Sequence, residues 1–399
     1  MAGSNTYAYL PPITQGYIDK RSLFISKPLL VAYDLCEKRT LPEGNGTTVA
    51  FWRYGHLSDN TTALTEAFTS QIEFGGLANS TRQQLTNREI YVTPAPYGDW
   101  IRIGDYASRV TIDQGLTGAV DVVSQMAAKS IEAVLMKQLS TGLTRMRADN
   151  DSTYETTGTT TSAGSTTSIV ASALAGANDA WNGGFITITS GAQQGKTRQI
   201  TDFATGGTIT CDAFDVAPGS GVTFKITVGT DIDASDKVSA AAIRRVVMQL
   251  EDNDAMYYEG AYFTGVLDPH LKYDFMDDSD FKAVSIYKDN TNNLTTNDVS
   301  TFAGVRFKKA PRVYRETVAG VASATGAVRV LPIMGMHAAG CVSLGATPGG
   351  RKNFQLHIRG WKELGQPIPA ESTIGYYTLF GGTILDAAFG VGLMCGATD

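Results

Sequence analysis

The chain has 399 residues, 43% of them hydrophobic and only 18% charged. That is enough for two or three domains with sizeable cores, at about 100–200 residues per domain, but the charge falls short of the roughly 25% usual in soluble domains. A net charge of −6 with no long basic run argues against a protein built to grip nucleic acid, which needs a basic face or stripe.

Basic residues occur as isolated pairs, Arg244-Arg245, Lys308-Lys309 and Arg351-Lys352, and read as solvated or interface features. Cys36, Cys211, Cys341 and Cys395 form no C-x-x-C pair, so neither a zinc site nor a disulfide framework is expected, and a reducing compartment fits. Residues 1–7 lack the charged and apolar regions of a secretory signal. No apolar stretch reaches the ~18 residues of a membrane-spanning helix, so no membrane partner is expected.

In chain order, residues 1–40 read as an arm broken by Pro11-Pro12 and Gly16, then a short helix from Lys27 to Arg39. Pro28 suits its first turn, and Leu41-Pro42-Glu43-Gly44 ends it. Residues 41–105 read as strands and long loops. Val49 to Leu57 alternates Trp52, Tyr54 and His56 on one face with Phe51, Arg53 and Leu57 on the other. Apolar groups on both faces imply cover on both sides. Glu89 to Thr93 reads as a second strand, closed by Pro94 and Pro96, and the two read either as an extended two-stranded arm or as an ordinary sheet edge.

Residues 106–153 hold the clearest helix, at 113–146. Leu116, Val120, Val123, Ala127, Ile131, Val134 and Leu135 recur at helical spacing. About 30 residues would span roughly 45–50 Å. Asp113 is the expected N-cap, and Arg145 and Arg147 suit the C-terminal end.

Residues 154–229 change character. Thr156 to Ser168 contains only Thr, Gly, Ser and Ala, the composition of a linker. Runs at 185–189, 198–201, 208–211 and 222–226 alternate as strands between Gly, Asn, Asp and Pro turns. The expectation is an inserted small β-barrel or sandwich. Residues 230–399 begin with a helix from Asp236 to Leu250, then mix short strands, loops and weak helices.

No residues present themselves as catalysts, metal ligands or cofactor ligands. Gly191-Ala192-Gln193-Gln194-Gly195-Lys196-Thr197 is one residue short of a phosphate loop, with Ser190 where the first glycine belongs. A strand, not a helix, follows it, so it reads as a β-turn. His56, His270, His337 and His357 share no ligand spacing. Asp277-Asp278-Ser279-Asp280 lacks the pattern of a calcium loop. There is no G-x-S-x-G and no H-E-x-x-H. No enzyme, cofactor or metal is expected.

Several motifs in order resemble one family. Thr48-Val49-Ala50-Phe51-Trp52-Arg53-Tyr54 followed by Ala63-Leu64-Thr65-Glu66-Ala67 is similar to the start of an extended loop. Tyr97-Gly98-Asp99-Trp100-Ile101-Arg102-Ile103-Gly104-Asp105 resembles the strand before a spine helix. Asp268-Pro269-His270 stands where the family has a His-Pro-type turn, in altered order. Phe302-Ala303-Gly304-Val305-Arg306-Phe307 and Gly360-Trp361-Lys362 resemble a Gly-x-Arg-Phe strand and a near-terminal Gly-Trp-Lys. Together, over residues 40–365, they resemble the major capsid proteins of tailed phages with the Hong Kong 97-type fold, nearest to N-four-like podoviruses.

That resemblance implies an α+β fold with N-terminal arm, extended loop, spine helix, peripheral domain and axial domain. It implies a shell of hexamers and pentamers around the phage DNA, assembled in the host bacterial cytoplasm. The partners implied are further copies of the chain, a scaffolding protein, a portal, a decoration protein and non-specifically touched double-stranded DNA. The implied interface includes Phe51, Trp52, Tyr54, Trp100, Arg102 and Trp361. Replacing Phe51 or Trp52 by Asp is then expected to block assembly and leave a soluble subunit. The competing readings are an encapsulin-like compartment, a decoration or tail protein, or an enzyme with an unrecognised site; a gene neighbourhood with portal and terminase separates the first from the phage reading.

Overall fold

A computed structural model describes residues 29–41, 46–54, 65–66, 77–78, 87–104, 115–229, 232, 235–258, 260–287, 301–317, 327–345, 353–359 and 371–397. Helix α1 (Val31–Leu35) leads directly into strand β1 (Glu37–Arg39). The expected helix to Arg39 is therefore cut short. Glu37 to Arg39 instead pairs in parallel with Gly340 to Val342, so backbone hydrogen bonding to a distant strand overrides local helix preference.

Strands β2 (Val49–Tyr54), β3 (Thr65–Glu66), β4 (Leu77–Ala78) and β5 (Asn87–Val92) follow. β2 and β5 form an antiparallel ribbon, with Val49 opposite Val92 and Tyr54 opposite Asn87. The next strand, β6 (Ala95–Gly104), contains Pro96, which was expected to close β5 and not to lie in a strand. β6 is the edge of its sheet, where a missing N–H costs no ladder bond.

Helix α2 (Gly115–Gly142) has 28 residues and is about 42 Å long at 1.5 Å per residue. Two cores share it. Val120, Val123 and Ala127 of its first half pack with Ile374 and Tyr376. Ile131, Leu135 and Leu139 of its second half join the largest core. Strand β7 (Thr144–Arg147) follows at once, so Arg145 and Arg147 do not complement a helix terminus. Both are buried in a strand, a correction taken up below.

A six-stranded unit comes next: β8 (Glu155–Thr159), β9 (Ser168–Val170), β10 (Phe185–Ile188), β11 (Thr197–Ala204), β12 (Thr208–Cys211) and β13 (Thr223–Thr227). Their order is β8-β13-β10-β11-β12-β9. The Thr161 N–H donates to the Val170 carbonyl at 2.8 Å, so β9 returns to the chain just beyond β8 and closes the ring. Ile186, Ile188, Ile200, Phe203, Ile209, Phe224 and Ile226 fill its interior. The Thr/Gly/Ser/Ala segment expected as a linker supplies β8 and the start of β9. Threonine is β-branched and suits a pleated strand, which composition alone obscured.

Helix α3 (Ala240–Asp252) starts at Ser239, whose hydroxyl accepts from the Ala242 N–H at 3.2 Å. Its apolar stripe, Ala242, Ile243, Val246 and Leu250, is buried. Strand β14 (Phe263–Leu267) runs into α4 (Pro269–Asp277), capped by Asp268 with Pro269 in the first turn. Helix α5 (Ser279–Tyr287) completes the helical layer. The acidic run that lacked a calcium-loop pattern caps these helices: Asp278 accepts from the N–H groups of Ala240, Asp280 and Phe281.

The remaining strands are β15 (Thr301–Phe302), β16 (Val305–Lys309), β17 (Tyr314–Thr317), β18 (Ala327–Met334), β19 (Ala339–Val342), β20 (Phe354–Arg359), β21 (Glu371–Phe380), β22 (Gly382–Ile384) and β23 (Gly390–Cys395). One seven-stranded sheet runs β15-β16-β14-β18-β23-β7, with β17 also on β18. A three-stranded antiparallel sheet runs β20-β21-β6 and lies on α2; β1-β19-β22 forms a small third sheet. No described helix is long and apolar enough to cross a membrane.

Candidate assembly surface

Alternation along a strand decides what each face of the β2–β5 ribbon offers. Val49, Phe51, Ile90 and Val92 point inward onto Val342 and Leu385 of the same chain. Phe51 is 1% exposed, and its ring reaches the α-carbon side of Gly340, where an added Cβ would lie 2.8 Å away. The expectation that Phe51 meets a neighbouring subunit is corrected: its cover is intramolecular. Trp52 and Tyr54 point the other way and are 47% and 57% exposed. Tyr91, 59% exposed, stands opposite Ala50 on that same outer face.

The β20-β21-β6 sheet repeats the arrangement. Ile101, Ile103, Leu356, Ile374 and Tyr376 face α2. On the other face Trp100 lies opposite Gly375 and is 60% exposed. A side chain at Gly375 would start 2.8 Å from the Trp100 Cβ, so the glycine makes room for the indole. Tyr377 and Arg102 share this face. Arg102 is exposed and paired to Glu371 at 3.3 Å, a pair solvent makes weak.

The structure thus puts Trp52 with Tyr54 on one outward face and Trp100 with Arg102 on another. Trp361 lies outside the described residues, as do Asp113, His56, Arg351-Lys352, Gly360, Lys362 and the 1–28 arm. Tyr91 and Tyr377 were missed; the period of two used along Val49 to Leu57, carried into β5 and β21, would have found them. A further exposed group, Met256, Tyr257, Tyr262 and Met336, surrounds the turn before β14 and carried no signal in the sequence.

Titratable groups are used structurally. Among the described residues no three His, Cys, Asp or Glu side chains come together as a metal site would require. Burial pushes the Cys211 thiol up to about 11 and the Cys395 thiol higher still, away from the nucleophilic thiolate. Glu132 of α2 is buried, and its Oε1 accepts from the Ala32 N–H of α1 at 2.7 Å. Burial raises its carboxyl to about 7, partly opposed by the N–H groups of Ala32, Tyr33 and Val31.

Arg145 and Arg147 tie the barrel to the large sheet. The Arg145 Nη1 donates to Glu316 Oε2 at 3.1 Å, and its guanidinium stacks 4.0 Å from the Phe185 ring of the barrel. Arg147 pairs with Asp149 at 2.5 Å, donates to the Val228 carbonyl at 2.7 Å and lies over Tyr154. Both side chains are essentially inaccessible, so these partners are what makes the buried charge tolerable.

No family model and no curated protein matches the chain. Solved structures do. The capsid of Ralstonia phage GP4 is similar at TM-score 0.52 and 14% identity, over 92% of this chain and 88% of that one. The Cyanophage Pam1 capsid gives 0.51 and 13%, over 89% and 86%. The capsid of Cyanophage P-SCSP1u gives 0.50 and 12%, over 92% and 89%. The chain has the phage capsid fold. It is of the α+β, Hong Kong 97 type.

Proposed function

We propose that this chain is the major capsid protein of a tailed bacteriophage. It builds a shell of hexamers and pentamers around double-stranded DNA and catalyses no reaction. One observation carries the reading: the capsid-like fold extends over about nine-tenths of the chain rather than one module of it. The two outward aromatic faces support it, because exposed Trp and Tyr at this density mark surfaces meant to be covered. Within this reading Trp52, Tyr54, Trp100 and Arg102 lie at contacts between copies, joined by Tyr91 and Tyr377. Contacts of this heterologous kind close into shells when their geometry permits.

The ordered motifs at 48–67, 97–105, 302–307 and 360–362 support kinship with the N-four-like podovirus capsid proteins. The proposed division is arm 1–40, extended loop 41–105, spine helix region 106–153, inserted barrel 154–229, and axial domain with remaining peripheral strands 230–399. A scaffolding protein, a portal and a decoration protein are the proposed partners, with assembly in the bacterial cytoplasm. DNA contact is non-specific, consistent with a net charge of −6.

Electron microscopy with light scattering, on the purified chain alone and co-expressed with its neighbouring genes, tests the proposal. Closed shells or regular hexamers and pentamers are expected. A monomer or small closed oligomer under every condition overturns it.

A further inference from the structure

The ribbon carries an apparent conflict. Arg53 of β2 lies directly opposite Arg88 of β5. Like charges at such positions, with Cβ atoms about 5 Å apart, destabilise a strand pair. Each arginine has its own acceptor. Arg53 Nη2 reaches Asp386 Oδ2 at 3.2 Å, and its guanidinium lies 4.4 Å over the Phe389 ring. Arg88 Nη1 donates to the carbonyl of Gln194 at 2.8 Å. Gln194 belongs to the barrel, in the β10–β11 turn that resembled a phosphate loop.

The same turn also holds the body of the chain. The Ala387 N–H donates to the Gly195 carbonyl at 3.1 Å. Gly195 has φ +74°, and a Cβ there would lie 2.9 Å from Asp386 Oδ1 and 3.3 Å from the Ala387 nitrogen. Only glycine allows that approach. Asp386 therefore sits between Arg53 of the ribbon and the barrel turn, and Arg88 bridges ribbon and turn directly. Beside this junction is an open cleft of about 600 Å³ lined by Glu89, Tyr91, Gln138, Lys196, Arg198 and Asp215. There the ribbon and the barrel stand apart, so the turn is a localised connection and not the rim of a broad interface.

We propose that the barrel serves as an intramolecular brace: its 191–196 turn clasps the Arg53–Arg88 end of the ribbon through Arg88 and Asp386 and sets the ribbon's position before subunits meet. The clasp is held under electrostatic load. Burial, and next the charge of Arg88, pull the Lys196 ammonium below its ordinary range. Arg88 Nη2 and Arg53 Nε are buried with no acceptor, so each guanidinium depends on the few partners it has. The meaning of the brace for assembly rests on the shell reading; its existence does not.

Amide hydrogen exchange on the unassembled full-length chain tests it, with Arg88→Ala on the ribbon side and Gly195→Ala on the barrel side. Arg88→Ala should speed exchange about tenfold or more at 49–54 and 87–92, the loss of one hydrogen bond from a charged donor. Coupling is reciprocal, so it should also speed exchange at 194–196, while amides of Ile186 and Phe203 in the barrel core stay unchanged. Gly195→Ala should loosen the ribbon although it alters no ribbon residue. Unchanged ribbon exchange in Arg88→Ala overturns the brace. So does a ribbon response to Arg88→Ala with none at 194–196. Failure of the shell reading would appear separately, as absence of particles from the unaltered chain.

Discussion

The barrel and the β2–β5 ribbon are both built of short antiparallel strands, yet they solve opposite problems. The barrel closes its ring through the bridge from Val170 to the chain just beyond β8 and buries its apolar positions inside itself. The ribbon has two strands, and one face is covered by its own chain while the other presents Trp52, Tyr54 and Tyr91 to solvent. A two-stranded ribbon alone is marginal in water. Closure makes a unit self-sufficient; an open ribbon needs cover from elsewhere, and here its own chain supplies that cover on one face only.

Substitutions on the two ribbon faces break that comparison most directly. Phe51→Asp places a charge in a fully buried site and should cost about 3–5 kcal/mol, seen as a lower midpoint in denaturant or as insoluble protein. A stable, soluble Phe51→Asp subunit would mean the inner face is not packed as described.

Arg145→Ala should cost a similar ~3–5 kcal/mol, because it strands Glu316 in the interior and removes the stack on Phe185. Replacing both Arg145 and Glu316 by apolar residues should recover most of it. If the double variant is no better than the single, a stranded Glu316 is not the source of the loss.

Glu132→Gln probes the junction where α1 meets α2. The folded carboxyl near 7 lies above its ordinary value of 4.5, so the folded state binds the extra proton between those limits. Stability from this site is therefore present below about pH 4.5 and is lost as pH rises through about 7. Glu132→Gln should raise the melting temperature at pH 8, by the equivalent of ~1–3 kcal/mol, with the gap closing toward pH 5. A gap independent of pH would refute the assignment.

The smallest effects on stability come from the outer faces. Trp52→Asp and Trp100→Asp should shift stability by about 0.5 kcal/mol or less, as exposed positions do. Both should nevertheless abolish particles in electron micrographs. Normal particles from either variant would remove that face from the contact surface.

Much of this was legible in the chain. The apolar spacing of Val120, Val123, Ala127, Ile131 and Leu135 announced α2, and alternation between turn residues located β10 to β13. Trp52 was found as a candidate by alternation along its strand, whereas Trp100 came only from the resemblance of the 97–105 motif.

Other features were settled by residues far away in the sequence. Phe51 and Trp52 are both large, aromatic and adjacent, and only the presence of Gly340 and Leu385 beneath one of them separates core from surface. Arg145 and Arg147 sit where helix-end cations belong, but Glu316, Phe185 and Val228 draw them into a strand and bury them. The turn at 191–196 was a turn from its glycines alone; that it clasps Arg88 required a contact 106 positions away. Period and composition therefore fixed which elements form, because those depend on neighbours along the chain. Which face is covered, and by what, depended on neighbours in space, and only the tertiary structure supplied them.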